Sequence, residues 1–145
     1  MAIYKHILVA IDFSLATEPL IQKAAALRTM CSAEISLIHV VEPMFIDASY
    51  DVFPSIPVGL EQEAAHKAGT ELVQLGQRLT IPAEQCHTVI GATKHAILQC
   101  AKEYGVDLIV IGSHGRQGVA LLLGSTANAV LHGASCDVLA VRVGQ

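Results

Sequence analysis

The apolar residues of this chain fall into five short runs, which are separated by longer stretches with apolar residues at every third or fourth position. The runs are nearly continuous, rich in β-branched residues and as short as strands that are buried on both faces. We therefore predict five strands, at Lys5–Asp12, Glu34–Val41, Gln85–Gly91, Asp107–Gly112 and Asp137–Val143.

The first two stretches between these strands predict helices. Ser14 or Thr17 is the expected N-cap of the first helix, and Pro19 lies in its opening turn. Its inward face is predicted at Leu20, Ile21, Ala24, Ala25 and Leu27. The second helix has apolar residues at steps of three and four, although Gly69 and Gly76 lower its helix propensity. Those apolar residues are Leu60, Ala64, Ala68, Leu72, Leu75 and Leu79.

Two further helices are predicted in the second half of the chain. The third is expected to begin at an N-cap, Thr93, and to stop at Gly105, because glycine readily takes the left-handed conformation that ends a helix. Its inward residues are predicted to be Ile97, Ala101 and Tyr104. The fourth is predicted to run from Ser125 to Gly133, with its apolar residues at Ala127, Val130 and Leu131.

Strands that alternate with helices in this way predict a Rossmann-like α/β fold. Its single open, doubly wound parallel sheet of five strands has right-handed crossovers and helices on both faces. The 145 residues suit one domain, residues 1–145. The segment Glu42–Gly59, rich in proline and with scattered aromatic residues, departs from the regular alternation. It is interpreted either as a surface loop over the end of the sheet or as a flap beside a ligand, and a short helix fits within both.

Composition excludes several kinds of partner. The formal net charge is −4, no run of Lys and Arg occurs, and there are three Phe, three Tyr and no Trp. The basic surface and the stacking platforms of a nucleic-acid-binding protein are therefore not expected. The apolar runs are too short to cross a bilayer, so no membrane span is predicted either.

The four cysteines, at positions 31, 86, 100 and 136, are scattered singly, without a C-x-x-C motif. This pattern favours reduced, buried or half-buried thiols in a cytoplasmic protein. None of the seven histidines forms a ligand pair with a cysteine at metal-binding spacing, so no metal site is predicted.

The candidate chemistry lies near the C-terminus. Gly112-Ser-His-Gly115 follows the fourth strand, and Gly124-Ser125 opens the fourth helix. Backbone N–H groups and the positive end of a helix dipole would then meet in one small volume, which suits a phosphate group. The alternative for the first two glycines is a simple turn, and for Ser125 a simple N-cap.

Asp12 ends the first predicted strand, which becomes a neighbour of the fourth if the strand order reverses between them. Ligands of open α/β sheets bind at that reversal. The Asp12 carboxylate suits ribose hydroxyls or a cation shared with phosphate, although it also suits a local turn before the first helix. Arg116 is a candidate for a terminal phosphate, and His114 for a catalytic role, whereas His39, inside a strand, is interpreted as a core histidine.

These motifs together resemble the universal stress protein family. The resemblance rests on Ala10-Ile11-Asp12, His39-Val40-Val41, Gly91 and the two glycine motifs, and it covers nearly the whole chain. It implies the strand order 3-2-1-4-5 and a homodimer formed by antiparallel pairing of the last strand, Asp137–Val143.

The nucleotide-binding branch of that family implies a bound adenine nucleotide, ATP or AMP, with or without Mg²⁺. The backbone at Val40 would hold adenine, Ala10 and Ile11 would line its pocket, and Asp12 would take the ribose. The phosphate site would comprise Gly112, His114, Gly115, Arg116, Gly124, Ser125 and Thr126.

The chain departs from that branch in one place. Eight residues, Arg116–Leu123, separate two of the motif glycines, where the branch has nine. The shorter loop resembles the A-type branch, which is not credited with ATP binding. Three hypotheses follow: a nucleotide-binding regulator, an A-type protein that works through protein partners, and an enzyme that uses Asp12, His114 and a metal ion. The last ranks lowest, because the phosphate-binding motif with its lysine and the G-x-S-x-G nucleophile motif are both missing, so at most weak ATP hydrolysis is expected.

Overall fold

The computed structural model describes residues 3–43, 59–113 and 124–142, and these residues form alternating strands and helices. In chain order the elements are β1 (His6–Ala10), α1 (Thr17–Cys31), β2 (Glu34–Val41), α2 (Leu60–Arg78), a 3-10 turn (Ala83–Gln85), β3 (Cys86–Ile90), α3 (Thr93–Glu103), β4 (Leu108–Gly112), α4 (Ser125–Gly133) and β5 (Asp137–Val141). The five strands make one parallel sheet in the order β3-β2-β1-β4-β5. The predicted α/β fold and strand order are confirmed.

The central strand β1 divides the core between the two faces of the sheet. Its Ile7 and Val9 belong to a cluster with residues of α1 and α2, whereas Leu8 belongs to a second cluster with residues of α3 and α4. All three side chains are fully buried. Because both faces of the strands are buried, their sequences are continuous apolar runs and do not alternate between apolar and polar residues.

The strand predictions match the structure closely at their centres and less well at their ends. The second strand has the predicted bounds, while the first, third and fourth are shorter than predicted by three, two and one residues. The fifth was predicted to reach Val143, which lies outside the described residues, and β5 ends at Val141. Most of the segment Glu42–Gly59 also lies outside them.

The predicted helix caps were wrong at both threonines. Thr17 and Thr93 are the first residues of α1 and α3, and the N-cap positions are Ala16 and Ala92. Ser14 does take part in the entry to α1, because its Oγ accepts a hydrogen bond from the Ala16 N–H at 3.1 Å. The positive φ of Gly105, 64°, agrees with its predicted place just after the end of α3.

Several residues predicted to face inward are exposed or only half-buried. Tyr104, which directly follows α3, is 47% exposed and Leu131 in α4 is 50% exposed, although the nearby Ala101 and Val130 are buried. At the start of α2, Leu60 and Ala64 are exposed, and the buried face of that helix begins at Ala68. Ala25 and Leu27 of α1 are half-buried.

Hydrogen bonds tie β1 to its neighbours at the amino end of the sheet. The Asp107 carboxylate accepts the N–H groups of Lys5 and His6 at 2.9–3.2 Å. The His6 ring lies 2.7 Å from the buried Ser36 hydroxyl and 3.1 Å from the Tyr104 carbonyl oxygen. These contacts satisfy a buried polar group and fix the register in which β1 enters the sheet.

None of the helices in residues 3–43, 59–113 and 124–142 combines the length and apolar character that crossing a bilayer requires.

Gly76 packs α2 against the start of β3. A Cβ added there would lie 2.7 Å from the Cys86 Sγ and 3.3 Å from the Ile81 carbonyl oxygen, whereas at Gly69 in the same helix the nearest atom is 3.4 Å away. We expect Gly76→Ala to lower the free energy of unfolding by about 1–2 kcal/mol and Gly69→Ala to raise it by up to about 1 kcal/mol. Urea unfolding of the two variants measures this difference, and equal stabilities would contradict the packing described. Adding Cys86→Ala should recover part of the loss caused by Gly76→Ala.

His87 gives the stability a dependence on pH. Its ring stacks on Tyr104 with the centroids 4.7 Å apart, and burial lowers its pKa, with Glu103 raising it and His6 lowering it. Because the unfolded chain then binds more protons, the folded state should lose stability as pH falls through the ordinary histidine value of 6.5. Urea unfolding between about pH 5 and about pH 7 should give a shallower dependence for His87→Gln than for the wild type. His66→Gln, at an exposed position of α2, is the control, and equal slopes for His87→Gln and the wild type would refute this role.

Candidate functional site

The strand order reverses between β1 and β4, so their carboxyl ends border a crevice of the kind in which α/β proteins bind ligands. The last residue of β1 is Ala10, which is half-buried, and the Ile11 N–H still donates to the Ile38 carbonyl oxygen at 2.8 Å. Asp12 follows directly. Because β1 and β4 are paired, Asp12 lies at the same edge of the sheet as the end of β4, as predicted.

The neighbouring strand β2 continues to Val41, past the point where β1 leaves the sheet. In a strand, backbone groups point to alternate sides. Ile38 accepts from β1 and Val41 accepts from the Gly91 N–H on the side of β3, so the N–H and carbonyl of Val40 point to the side of β1. They lie beyond the last hydrogen bond between the two strands. Val40 itself is half-buried and packs against the cluster that includes Leu8.

Asp12 begins a tightly hydrogen-bonded turn. Its Oδ1 accepts the Ser14 N–H at 2.9 Å, which is the local-turn role considered as its alternative. The next residue, Phe13, has a φ of 57°, a left-handed conformation that is rare for a bulky side chain. A carboxylate accepts several hydrogen bonds, so the turn and a ligand contact are compatible roles for Asp12.

His39 holds this turn from the adjacent strand. Its Nδ1 lies 2.7 Å from the Ile11 carbonyl oxygen, and since a carbonyl only accepts, Nδ1 is the donor. The His39 and Phe13 ring centroids are 4.8 Å apart at an interplanar angle of 51°. The half-buried His39 is a satisfied histidine, as interpreted from the sequence, but its contacts lie at the crevice. The sequence analysis missed these contacts, and the feature that could have indicated them is a lone histidine near the end of an aliphatic strand.

The end of β4 and the start of α4 are in direct contact. The Ser113 carbonyl oxygen accepts the Gly124 N–H, and the Ser113 N–H donates to the Val141 carbonyl oxygen at 2.9 Å. Both amides are therefore used within the protein. Because the Asn128 N–H makes the first helical bond, to Gly124, the N–H groups of Ser125, Thr126 and Ala127 have no partner within the helix. Any anion at this position would meet those three amides.

The backbone does not require glycine at either end of this contact. Gly124 has φ −60° and ψ 152°, which any residue adopts, and Gly112 is the last residue of β4 and half-buried. Gly112 is the last residue of the strand, which agrees with the alternative interpretation of it as a glycine at a strand-to-loop junction. His114, Gly115 and Arg116 lie outside the described residues, so their predicted roles stay predictions.

A second hydrogen-bonded group lies at the same edge of the sheet. The Glu42 Oε1 accepts the Thr93 hydroxyl at 2.6 Å and the Thr93 N–H at 3.3 Å, and these bonds lower the pKa of Glu42. An acidic side chain at a helix N-terminus is electrostatically favourable. Glu42 thus stabilises the start of α3, a role that the sequence analysis missed because the two residues are far apart in the chain.

The described residues contain no cluster of three or more His, Cys, Asp or Glu side chains that would hold a metal ion. The four cysteines are all free and buried or half-buried. Burial raises the pKa of the Cys86 and Cys136 thiols and raises that of Cys100 to about 11. These three thiols are protonated at neutral pH, so none is an activated nucleophile.

The fold and the crevice define a doubly wound α/β protein with a candidate site where the strand order reverses. The universal stress protein family model matches residues 3–142. The chain is 41% identical to universal stress protein A homolog 1 of Coxiella burnetii over 95% of this chain and 96% of that protein. The chain belongs to the universal stress protein family.

Solved structures of this family share the fold. A universal stress protein UspA from Lactobacillus plantarum superposes with a TM-score of 0.78 at 27% identity, covering 99% of this chain and 100% of its own. A universal stress protein in complex with cAMP superposes with a TM-score of 0.68 at 21% identity, covering 96% of this chain and 97% of its own. At that identity the second likeness concerns the fold alone.

Proposed function

We propose that this universal stress protein binds an adenine nucleotide, ATP or AMP, in the crevice at the carboxyl edge of the sheet. We also propose that it acts in the cytoplasm as a homodimeric, ligand-dependent regulator of a stress response. The observation that carries the proposal is the early end of β1, which leaves the N–H and carbonyl of Val40 directed past it. A donor and an acceptor on one residue match the edge of an adenine ring.

The rest of the nucleotide fits the order of groups along the crevice. Ala10 pairs with Ile38, two residues before Val40 on the neighbouring strand, and Ile11 and Asp12 follow it as the proposed contacts for the base and the ribose. The phosphates would then reach the first turn of α4, where amides that have no partner within the helix, together with the helix dipole, favour negative charge. Asp12 and the Ser125 hydroxyl are oxygen donors that suit Mg²⁺ bound together with phosphate. A universal stress protein of the same fold has been solved in complex with cAMP.

Gly124 gives the sharpest test of this binding mode. Because its backbone angles suit any residue, Gly124→Ala should fold normally while its Cβ intrudes where the phosphates approach. We expect it to weaken ATP binding by about tenfold or more in isothermal calorimetry. Gly91→Ala is the matched control at the same edge of the sheet, since a Cβ there has nothing within 4 Å. Equal affinities for the two variants would argue against phosphate at this position.

A second candidate function is an A-type stress protein that works through protein partners and binds no nucleotide. Two observations favour it: the eight-residue spacing Arg116–Leu123 and the name of the Coxiella burnetii relative as a homolog of universal stress protein A. Mass spectrometry of ligand released from denatured, freshly purified protein separates the two. Absence of any nucleotide, together with no calorimetric binding of ATP, ADP or AMP, supports this second function.

The proposed homodimer uses β5, which lies at the edge of the sheet. Since the Val141 carbonyl faces β4, the backbone groups of Ala140, one residue earlier, face outward. An unpaired row of such groups on an apolar strand invites pairing with a second copy.

Ala140→Pro should therefore abolish dimerisation and leave the intrachain sheet intact, because proline is tolerated where an edge N–H faces outward. Analytical ultracentrifugation should give the wild type a mass twice that of the 15.3 kDa chain, and the variant the mass of one chain. Leu139→Pro, whose N–H faces β4, should instead disrupt folding. A monomeric wild type would contradict the dimer.

A further inference from the structure

We propose that His39 and Phe13 form a clasp that positions the Asp12 carboxylate and thereby sets the selectivity of the crevice for the ribose of its ligand. The selectivity part rests on the proposed nucleotide binding. The positioning part stands on the geometry of the described residues, and the experiment below tests the two separately.

The clasp has a hydrogen bond and a ring contact. His39 donates from Nδ1 to the carbonyl oxygen of Ile11, the residue immediately before Asp12, at 2.7 Å. Its ring also contacts the ring of Phe13, the residue immediately after Asp12, with the two centroids 4.8 Å apart. One side chain on β2 therefore holds both residues that flank the carboxylate.

The backbone conformation of Phe13 indicates that its contact with His39 holds the turn in place. A positive φ at a phenylalanine is strained, and such strain persists only where surrounding contacts enforce it. Here the Phe13 ring is held by His39 and by the core cluster that includes Ile7 and Val9. The left-handed step at Phe13 turns the chain so that the Ser14 N–H reaches back to the Asp12 Oδ1 at 2.9 Å.

The consequence is a carboxylate with a fixed direction. With Ile11 and Phe13 held and Oδ1 bonded to Ser14, Asp12 is oriented before a ligand arrives. A pre-oriented acceptor distinguishes a ligand that has hydroxyl groups from one that lacks them, because no ordering of the turn is needed on binding. Loss of the clasp should therefore weaken the discrimination between ligands with and without ribose hydroxyls, and it should affect binding of the phosphates less.

The first arm of the test needs no ligand. His39→Phe keeps a ring but loses the donor, His39→Asn keeps a donor but loses the ring, and Phe13→Gly removes both the ring and the strain. Hydrogen exchange of the Ser14 amide, read by NMR against the Ala24 amide of α1, should accelerate by about tenfold or more in His39→Phe and in Phe13→Gly. His39→Asn should give a smaller change. An unchanged Ser14 amide in the first two variants would overturn the clasp.

The second arm compares the affinities of ATP and 2′,3′-dideoxy-ATP by calorimetry. The wild type should prefer ATP by about tenfold, and His39→Phe and Phe13→Gly should bring the ratio towards one. Ser125→Ala, on the phosphate side, should weaken both ligands alike and leave the ratio unchanged.

The outcomes separate the two proposals. If the Ser14 amide accelerates but the wild type binds neither nucleotide, the proposed function fails and the positioning role of His39 stands. If the wild type binds ATP and the clasp variants show the same ratio of affinities for ATP and 2′,3′-dideoxy-ATP as the wild type, the selectivity inference is overturned while nucleotide binding stands.

Discussion

The candidate site depends on the pairing of β1 with its two neighbours and on the residue at which that pairing stops. The Asp107 carboxylate accepts the N–H groups of Lys5 and His6, and the His6 ring bonds the Ser36 hydroxyl, so β1 is fixed at the amino end of the sheet. Parallel pairing carries that register to Ile11. There β1 leaves the sheet while β2 continues. Because β2 extends beyond the end of β1, the crevice exposes main-chain N–H and carbonyl groups of β2 to a ligand. No special side chain is needed for this. The shape of the crevice is therefore set by strand length and register, which the buried core enforces.

The scaffold could be predicted from the sequence because its strands are buried on both faces. Continuous β-branched runs identify such strands, and the apolar spacing of the helices supplies the faces that cover them. The errors fell where local preference competes with contacts from distant residues. Thr93 has a good capping side chain, yet Glu42, which directly follows β2, accepts hydrogen bonds from both its hydroxyl and its N–H. Tyr104 has the spacing of a buried residue, but its ring lies at the surface against His87.

The site was predictable in part. The nearness of Asp12 to the end of β4 and to the start of α4 follows from topology alone. The hydrogen-bonding state of those groups does not, because it depends on turns whose geometry no periodicity encodes. Gly124 was expected to offer its N–H to an anion, but that N–H donates to the Ser113 carbonyl oxygen, and the amides without a helical partner are those of the first turn of α4. The positive φ of Phe13 was equally hidden, since phenylalanine gives no indication of a left-handed turn.

The state of the thiols bears on how a stress could be sensed. Three of the four cysteines have raised pKa values, and burial is the main cause for each. Peroxide reacts with thiolates, and a protonated, half-covered sulfur reacts slowly. Oxidation of these three side chains is therefore expected to be slow, so the buried sulfurs serve the packing of the two core clusters more than any reaction at the surface.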